Sequence, residues 1–110
     1  MLRQAFTDFI FNTNTEGSGK AASYIRALDM LGPILTRHYP RPIIQGSMWH
    51  EFSLEDLQAI YEWILVEKQR GNARPVLADF ESRSYWTQGF CSAAVKAYRE
   101  FMALHLHGRG

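Results

Sequence analysis

The chain has 110 residues, close to the commonest size for one domain, and its 46% hydrophobic and 14% aromatic residues suffice for one packed core and leave no room for two. Twelve lysines and arginines against eleven aspartates and glutamates give a formal charge of +1, which excludes a global electrostatic drive toward nucleic acid, so any such role must come from uneven distribution. A single cysteine, Cys91, excludes an internal disulfide and a cysteine-based zinc site, and no apolar run approaches the roughly 18 residues of a membrane-spanning helix.

The N-terminal MLRQAFTDFI carries an acid where a signal peptide would be apolar, so the expectation is a soluble, unexported protein in a reducing, cytoplasmic setting. Over residues 2 to 11, Leu2, Ala5, Phe6, Phe9 and Ile10 recur at spacings of three and four and predict a short amphipathic helix. The polar run from Asn12 to Gly19 favours turns and predicts a loop. A second helix starts at Lys20, with Ser18 as its cap and Ala21, Tyr24, Leu28, Leu31 and Leu35 on one face. Gly32-Pro33 interrupts that pattern and predicts a kink near Leu31 or two helices meeting there, because proline lacks an amide donor and collides with the preceding turn.

Pro40, Pro42 and Gly46 argue against a long helix between His38 and Phe52. Ile43-Ile44 reads as a short extended piece within 43–49, with Met48, Trp49 and Phe52 tucked beneath it. Ser53-Leu54-Glu55-Asp56 is a capping box in its aspartate form, and Phe52 has the position of a hydrophobic staple on Leu57, so a third helix begins at Leu54. Leu54, Leu57, Ile60, Tyr61, Ile64 and Leu65 form its buried stripe, and Lys68-Gln69-Arg70-Gly71 supplies a cationic last turn and a stop. Residues 71 to 81 connect to a final helix that starts at Ser84 or a neighbour. In it Phe90, Ala94, Ala97, Phe101 and Leu104 form one apolar row and Cys91, Val95, Tyr98 and Met102 an adjoining one. The expected fold is all-α, one compact SAM-like bundle of four to five helices spanning 1–110.

Charge is unevenly spread. Residues 1 to 50 carry five basic and three acidic groups (+2), residues 51 to 81 three basic and seven acidic (−4), and residues 82 to 110 four basic and one acidic (+3). A basic face assembled from the two ends of the chain is one reading; ordinary solvated surface is the other. Gly17-Ser18-Gly19-Lys20 has the small residues that let amides point at an anion at a helix start. It is not a nucleotide-binding P-loop, since Asn14 stands where the first glycine belongs and Ala21 where a hydroxyl belongs. His105 and His107, two apart, point about 200° away from each other on a helix and read as a frayed tail rather than metal ligands, and His38 and His50 have no cysteine near them. Cys91 falls in an apolar row with no base identified beside it, and Glu55-Asp56 serve a helix start, so neither a nucleophile nor an acid/base pair is indicated. No cofactor, no metal and no catalytic residue is expected.

Ser82-Arg83-Ser84-Tyr85-Trp86-Thr87-Gln88 combines a cation, hydroxyls, two aromatics and an amide around a helix start, a mix that can hold phosphates, stack on sugars or bases and read base edges through Gln88. The alternative is that Tyr85 and Trp86 roof the core while Ser84 caps. Arg99, three positions from Lys96, adds a second cation on the same side of the last helix.

The segments Lys20 to Leu28, Leu54 to Ile64 and Ser84 to Phe101 together look like the helical N-terminal region that precedes HNH nuclease domains in some bacterial restriction-type endonucleases. More loosely they are similar to the SAM-like core-binding domain of tyrosine recombinases and phage integrases. The resemblance covers residues 18 to 104 and implies a helical clamp on the duplex backbone, contacting it through the helix starts near Lys20 and Ser84. The His-Asn-His motif and the recombinase arginine and tyrosine constellation are missing, so the resemblance implies a piece that positions DNA and does not react with it. The resulting expectation is a non-catalytic DNA-binding module, the targeting part of a nuclease or recombinase system. Its contacts would come from Ser18, Gly19, Lys20, Arg26, Arg83, Ser84, Tyr85, Trp86, Thr87, Gln88, Lys96 and Arg99, and its partners would be duplex DNA and a nuclease domain or subunit. The competing expectation is a protein-interaction or oligomerisation domain, a homodimer included, without nucleic-acid affinity, because three tryptophans and seven phenylalanines exceed the needs of a small core.

Overall fold

A computed structural model of the chain describes residues 2–13, 18–69 and 89–107, with the side chains of 13 and 18–20 excepted. Four helices are present among them: α1 (Leu2–Thr13), α2 (Ser18–His38), α3 (Leu54–Gln69) and α4 (Phe90–His107). The described residues form an all-helical bundle with no strand. α4 is its axis: it packs against α1, α2 and α3, while α2 and α3 flank it.

The helices follow their apolar periodicity. Phe6 and Ile10 of α1, Leu28, Leu31 and Leu35 of α2, and Leu57, Ile60 and Ile64 of α3 are buried. On α4 the burial of Cys91, Ala94, Val95, Ala97, Tyr98, Phe101 and Met102 realises both apolar rows, which is why this helix has neighbours on three sides. Leu104, read as the end of one row, is instead 63% exposed. The α3 stripe as read from the sequence omits Glu67, which is buried at 8% exposure.

Ser53 caps α3 as expected: the Asp56 amide donates to its hydroxyl at 3.1 Å and the Leu57 amide to its carbonyl at 3.1 Å. α2 begins at Ser18, two residues before the expected start. Of the two outcomes expected at Gly32-Pro33, a kink or two helices, the second is excluded: one helix runs through Pro33 to His38. An interior proline costs about 3 kcal/mol, yet burial of Leu31, Ile34 and Leu35 on either side of it holds the helix together.

Gly32 serves a different purpose from helix breaking. The segment 46–48 crosses α2 so closely that a β-carbon at Gly32 would stand 2.6 Å from the Ser47 Cα and 2.8 Å from the Gly46 carbonyl oxygen. Thr36, one turn on, fastens the crossing: its hydroxyl donates to the Gly32 carbonyl at 2.7 Å and accepts from the Gly46 amide at 2.7 Å. The segment expected to be extended near 43–49 is irregular, with a turn at 42–43, bends at 46 and 48 and no strand. The Ile43 amide bonds back to the Arg41 carbonyl at 2.9 Å and the His50 amide to the Met48 carbonyl at 2.9 Å, and Gly46 adopts a φ of 85°. These short-range bonds use the backbone groups a strand would need for a partner. Ile44, Met48 and Phe52 are buried beneath the loop and Trp49 is half-buried, as the sequence indicated.

An aromatic cluster joins α1, the loop and α4. The Phe6 ring lies 5.5 Å from Tyr98, 5.6 Å from Phe101 and 5.8 Å from Trp49, mostly edge-on or tilted as ring quadrupoles prefer. Tyr98 is fully buried and donates its hydroxyl to the His50 carbonyl at 2.9 Å.

Gly32→Ala tests the crossing. At an ordinary helix interior this change stabilises by about 1 kcal/mol, whereas here backbone atoms block the new methyl, and overpacking of this kind costs about 1–3 kcal/mol. The expected outcome is a lower urea midpoint for the variant; a midpoint equal to or above the parent's would show that the loop can withdraw freely.

Candidate nucleic-acid interface

The residues expected to meet DNA divide into three sets. Ser18, Gly19 and Lys20 form the first turn of α2, with their side chains outside the description. Arg83, Ser84, Tyr85, Trp86, Thr87 and Gln88 lie outside the described residues. Arg26, Lys96 and Arg99 are placed.

One expectation about the second set is corrected by its neighbour. The final helix does not begin at Ser84: Gly89 has a φ of 84°, a left-handed conformation that cannot continue a helix, and α4 starts at Phe90. The Ser92 hydroxyl and the Ala93 amide both donate to the Gly89 carbonyl, at 3.1 and 3.0 Å, which closes the first turn.

The three placed cations line three separate grooves. Arg26 lines a groove of ≈370 Å³ between α1 and α2, beside Arg3, Phe11 and Asp29. Lys96 stands at a cleft of ≈430 Å³ where α1, α2 and α4 meet, with Phe9, Tyr24 and Glu100. Arg99 turns into a groove of ≈300 Å³ beside α3, lined by Leu54, Glu55, Gln58 and Glu62. Lys96 and Arg99 were expected on one side of α4. They stand only about 60° apart around the axis, but α4 lies between two neighbours, so this angle sends one toward α1 and α2 and the other toward the acids of α3. The Arg99 Nε is buried there without a hydrogen-bond partner.

Arg3 and Arg41 are bound to acids of the fold. Arg3 grips Asp29 through Nε at 3.2 Å and Nη2 at 2.9 Å, and the Trp49 indole donates to the same carboxylate at 2.8 Å. Burial alone would raise the Asp29 pKa, but the bonds from Arg3 and Trp49 and the charge of Arg3 outweigh it and hold the carboxyl below its usual value. Arg41 pairs with Asp56 at 3.6 Å. Sequence reasoning did not find the Asp29 hub, because its partners lie 26 and 20 residues away.

His105, read as part of a frayed tail, belongs to ordered α4. Its ring stacks on Phe101 at 5.6 Å and its Nε2 meets the Glu51 carboxylate at 2.9 Å. Helical spacing from Phe101 to His105, i to i+4, was the available signal. Among the described residues no group of three or more histidines, cysteines or acids is placed to hold a metal ion, and no helix is long and apolar enough to cross a membrane. No protein-family model, curated protein or solved structure matches the chain.

Cys91 is fully buried in α4, and burial pushes its thiol up to about 12, with Lys68 opposing the shift weakly. An unfolded thiol would ionise near 9.0, so the folded state retains a proton that the unfolded state releases. The stability from this group is complete below pH 9 and is lost as pH rises from about 9 toward about 12, with a slope of up to about 1.4 kcal/mol per unit. Cys91→Ala should therefore flatten the fall in urea midpoint above pH 9. The native thiol should also stay silent toward an aromatic disulfide reagent at pH 8 until urea is added; prompt labelling of the native protein would contradict its burial.

Proposed function

We propose that the chain is a non-catalytic DNA-binding module that meets the phosphate backbone. The supporting observation is the separation of charge across α4. Apart from Arg99, which turns toward α3, α2 and α4 carry four basic residues, Lys20, Arg26, Arg37 and Lys96, against Asp29 and Glu100. α3, on the opposite flank, carries Glu55, Asp56, Glu62 and Glu67 against Lys68. A domain with a net charge near zero but a basic flank and an acidic flank orients itself toward a polyanion and keeps the acids turned away. Backbone attraction of this kind acts over a Debye length and needs no common groove. The interface comprises the start of α2 with Arg26 and Lys96, and Arg83 to Gln88 extend it in this reading; Arg99, among the acids of α3, is left out.

The resemblance of the three helical segments to regions that precede HNH nuclease domains supports a place as the targeting part of a nuclease or recombinase system in the cytoplasm. A second reading, an interaction or oligomerisation domain, is favoured by the exposure of Leu104 (63%) and Leu106 (36%) in the last turns of α4.

Fluorescence anisotropy with a labelled duplex separates the two. The DNA reading expects binding at 50 mM salt that weakens steeply by 200 mM, and at least a ten-fold loss in an Arg26→Glu, Lys96→Glu double variant for every duplex sequence. Charge reversal of Glu55 and Glu62 on α3 should weaken nothing. No binding of duplex or single strand at low salt, together with a concentration-dependent dimer in sedimentation, would overturn it in favour of the second reading.

A further inference from the structure

The cleft of ≈430 Å³ beside Lys96 has a construction that phosphate contact alone does not explain, and its size falls within the roughly 300–1,000 Å³ common for small-molecule sites. Ala93 and Ala97, four residues apart on one face of α4, give part of its wall no more than methyl groups. Phe9 of α1 and Tyr24 of α2 supply aromatic surface. The Phe9 ring is held in place, 5.6 Å from Phe101 and 6.2 Å from Phe6, so it offers its surface without first losing rotational freedom. At the mouth stand Lys96 and Glu100, also four apart, a spacing at which opposite charges ordinarily pair on a helix. They form no ion pair here, so a cation and a carboxylate are both offered to whatever occupies the cleft.

The chemistry that fits is a flat ring bearing paired donors and linked to an anion. Aromatic side chains take unstacked bases by stacking, and their polar neighbours read the exposed base edges. A carboxylate is an acceptor with two oxygens, and guanine is the base whose Watson–Crick edge presents two adjacent N–H donors, N1–H and N2–H. Adenine and cytosine place an acceptor beside their amino group, and thymine flanks its single N–H with carbonyls. Lys96 is a point charge suited to the phosphate. The first residue of α2 stands six residues before Tyr24, roughly 9 Å along the axis, so the positive end of that helix adds to the attraction.

We propose that this cleft receives one guanine nucleotide unit, its ring against Phe9 and Tyr24, its Watson–Crick edge on Glu100 and its phosphate toward Lys96. The inference deepens the DNA-binding reading and rests on it: the flank that attracts the backbone also holds a base-selective subsite for an unpaired base.

The test uses the full chain and labelled single strands that differ only in one central dG, dA, dC or dT, with a fully paired duplex and free dGMP as further arms. The dG strand is expected to bind about ten-fold tighter than the others. Glu100→Gln, which replaces a double acceptor with one donor and one acceptor, should erase that preference. Lys96→Ala should weaken all four strands alike, and Ala93→Leu, which fills the cleft, should remove the preference while duplex affinity persists. Far-UV circular dichroism and a urea curve confirm that each variant is folded. Competition by dGMP would show that the nucleotide unit suffices, and a dG preference without such competition would assign the cleft to a base held within a strand. Equal affinity for the four strands, or a dG preference that survives both Glu100→Gln and Ala93→Leu, overturns the cleft assignment. Duplex binding that persists in that case leaves the general DNA-binding reading standing, whereas a cleft-dependent dG preference without duplex binding removes the duplex reading and keeps the subsite.

Discussion

The desolvated phenol of Tyr98 ties the bundle to the irregular segment between α2 and α3. Its ring fills the space between Phe6, Trp49 and Phe101, so its hydroxyl reaches the interior, where an unmet donor costs about 1–3 kcal/mol. The acceptor is the carbonyl of His50, a loop residue. The loop must therefore sit where α4 needs it, and its position is set in turn by contacts with α2: the crossing at Gly32, the hydroxyl relay of Thr36 and the indole of Trp49 on Asp29. Burial also drives the Tyr98 pKa upward, which keeps the donor protonated throughout the range in which the protein would work. Aromatic packing and one polar bond thus fix α1, α4 and the loop together, and α2 holds the loop from the other side.

Local chemistry made the helices legible in advance. Amphipathic spacing located the cores of α1, α2, α3 and α4, and the cap at Ser53 was readable because all of its partners lie within four residues. The misreadings share a cause. Gly32-Pro33 looks like a break on local rules, yet the glycine answers to a backbone 14 residues away and the proline is carried by its neighbours' burial. The start of the last helix was placed early because Ser84 has the chemistry of a cap, while the deciding feature was the backbone conformation of Gly89. His105 was taken for tail because its partner, Glu51, is 54 residues distant.

The charge pattern was legible in outline and illegible in detail. Counting by thirds found the basic ends and the acidic middle, and the basic helices α2 and α4 do adjoin, with α3 on the other flank. Counts carry no rotational phase, however. Whether two cations share a groove depends on which way each turns around its helix, and Lys96 and Arg99 turn to different neighbours. The paired spacing of Ala93 with Ala97 and of Lys96 with Glu100 was in the sequence. Its meaning appears only when α1 and α2 bring Phe9 and Tyr24 opposite.

The closeness of the loop to Gly32 also constrains how this chain can diverge. Two backbones that nearly touch cannot change independently: a bulkier residue at position 32 would survive only alongside a compensating displacement of residues 46 to 48, and the hydroxyl of Thr36 would have to follow. In a lineage of such chains these positions should drift as a linked set, with glycine at 32 accompanying threonine four residues later and a tight turn at 46. Their joint presence would then serve as a fingerprint of the architecture even after the apolar positions had been reshuffled beyond recognition.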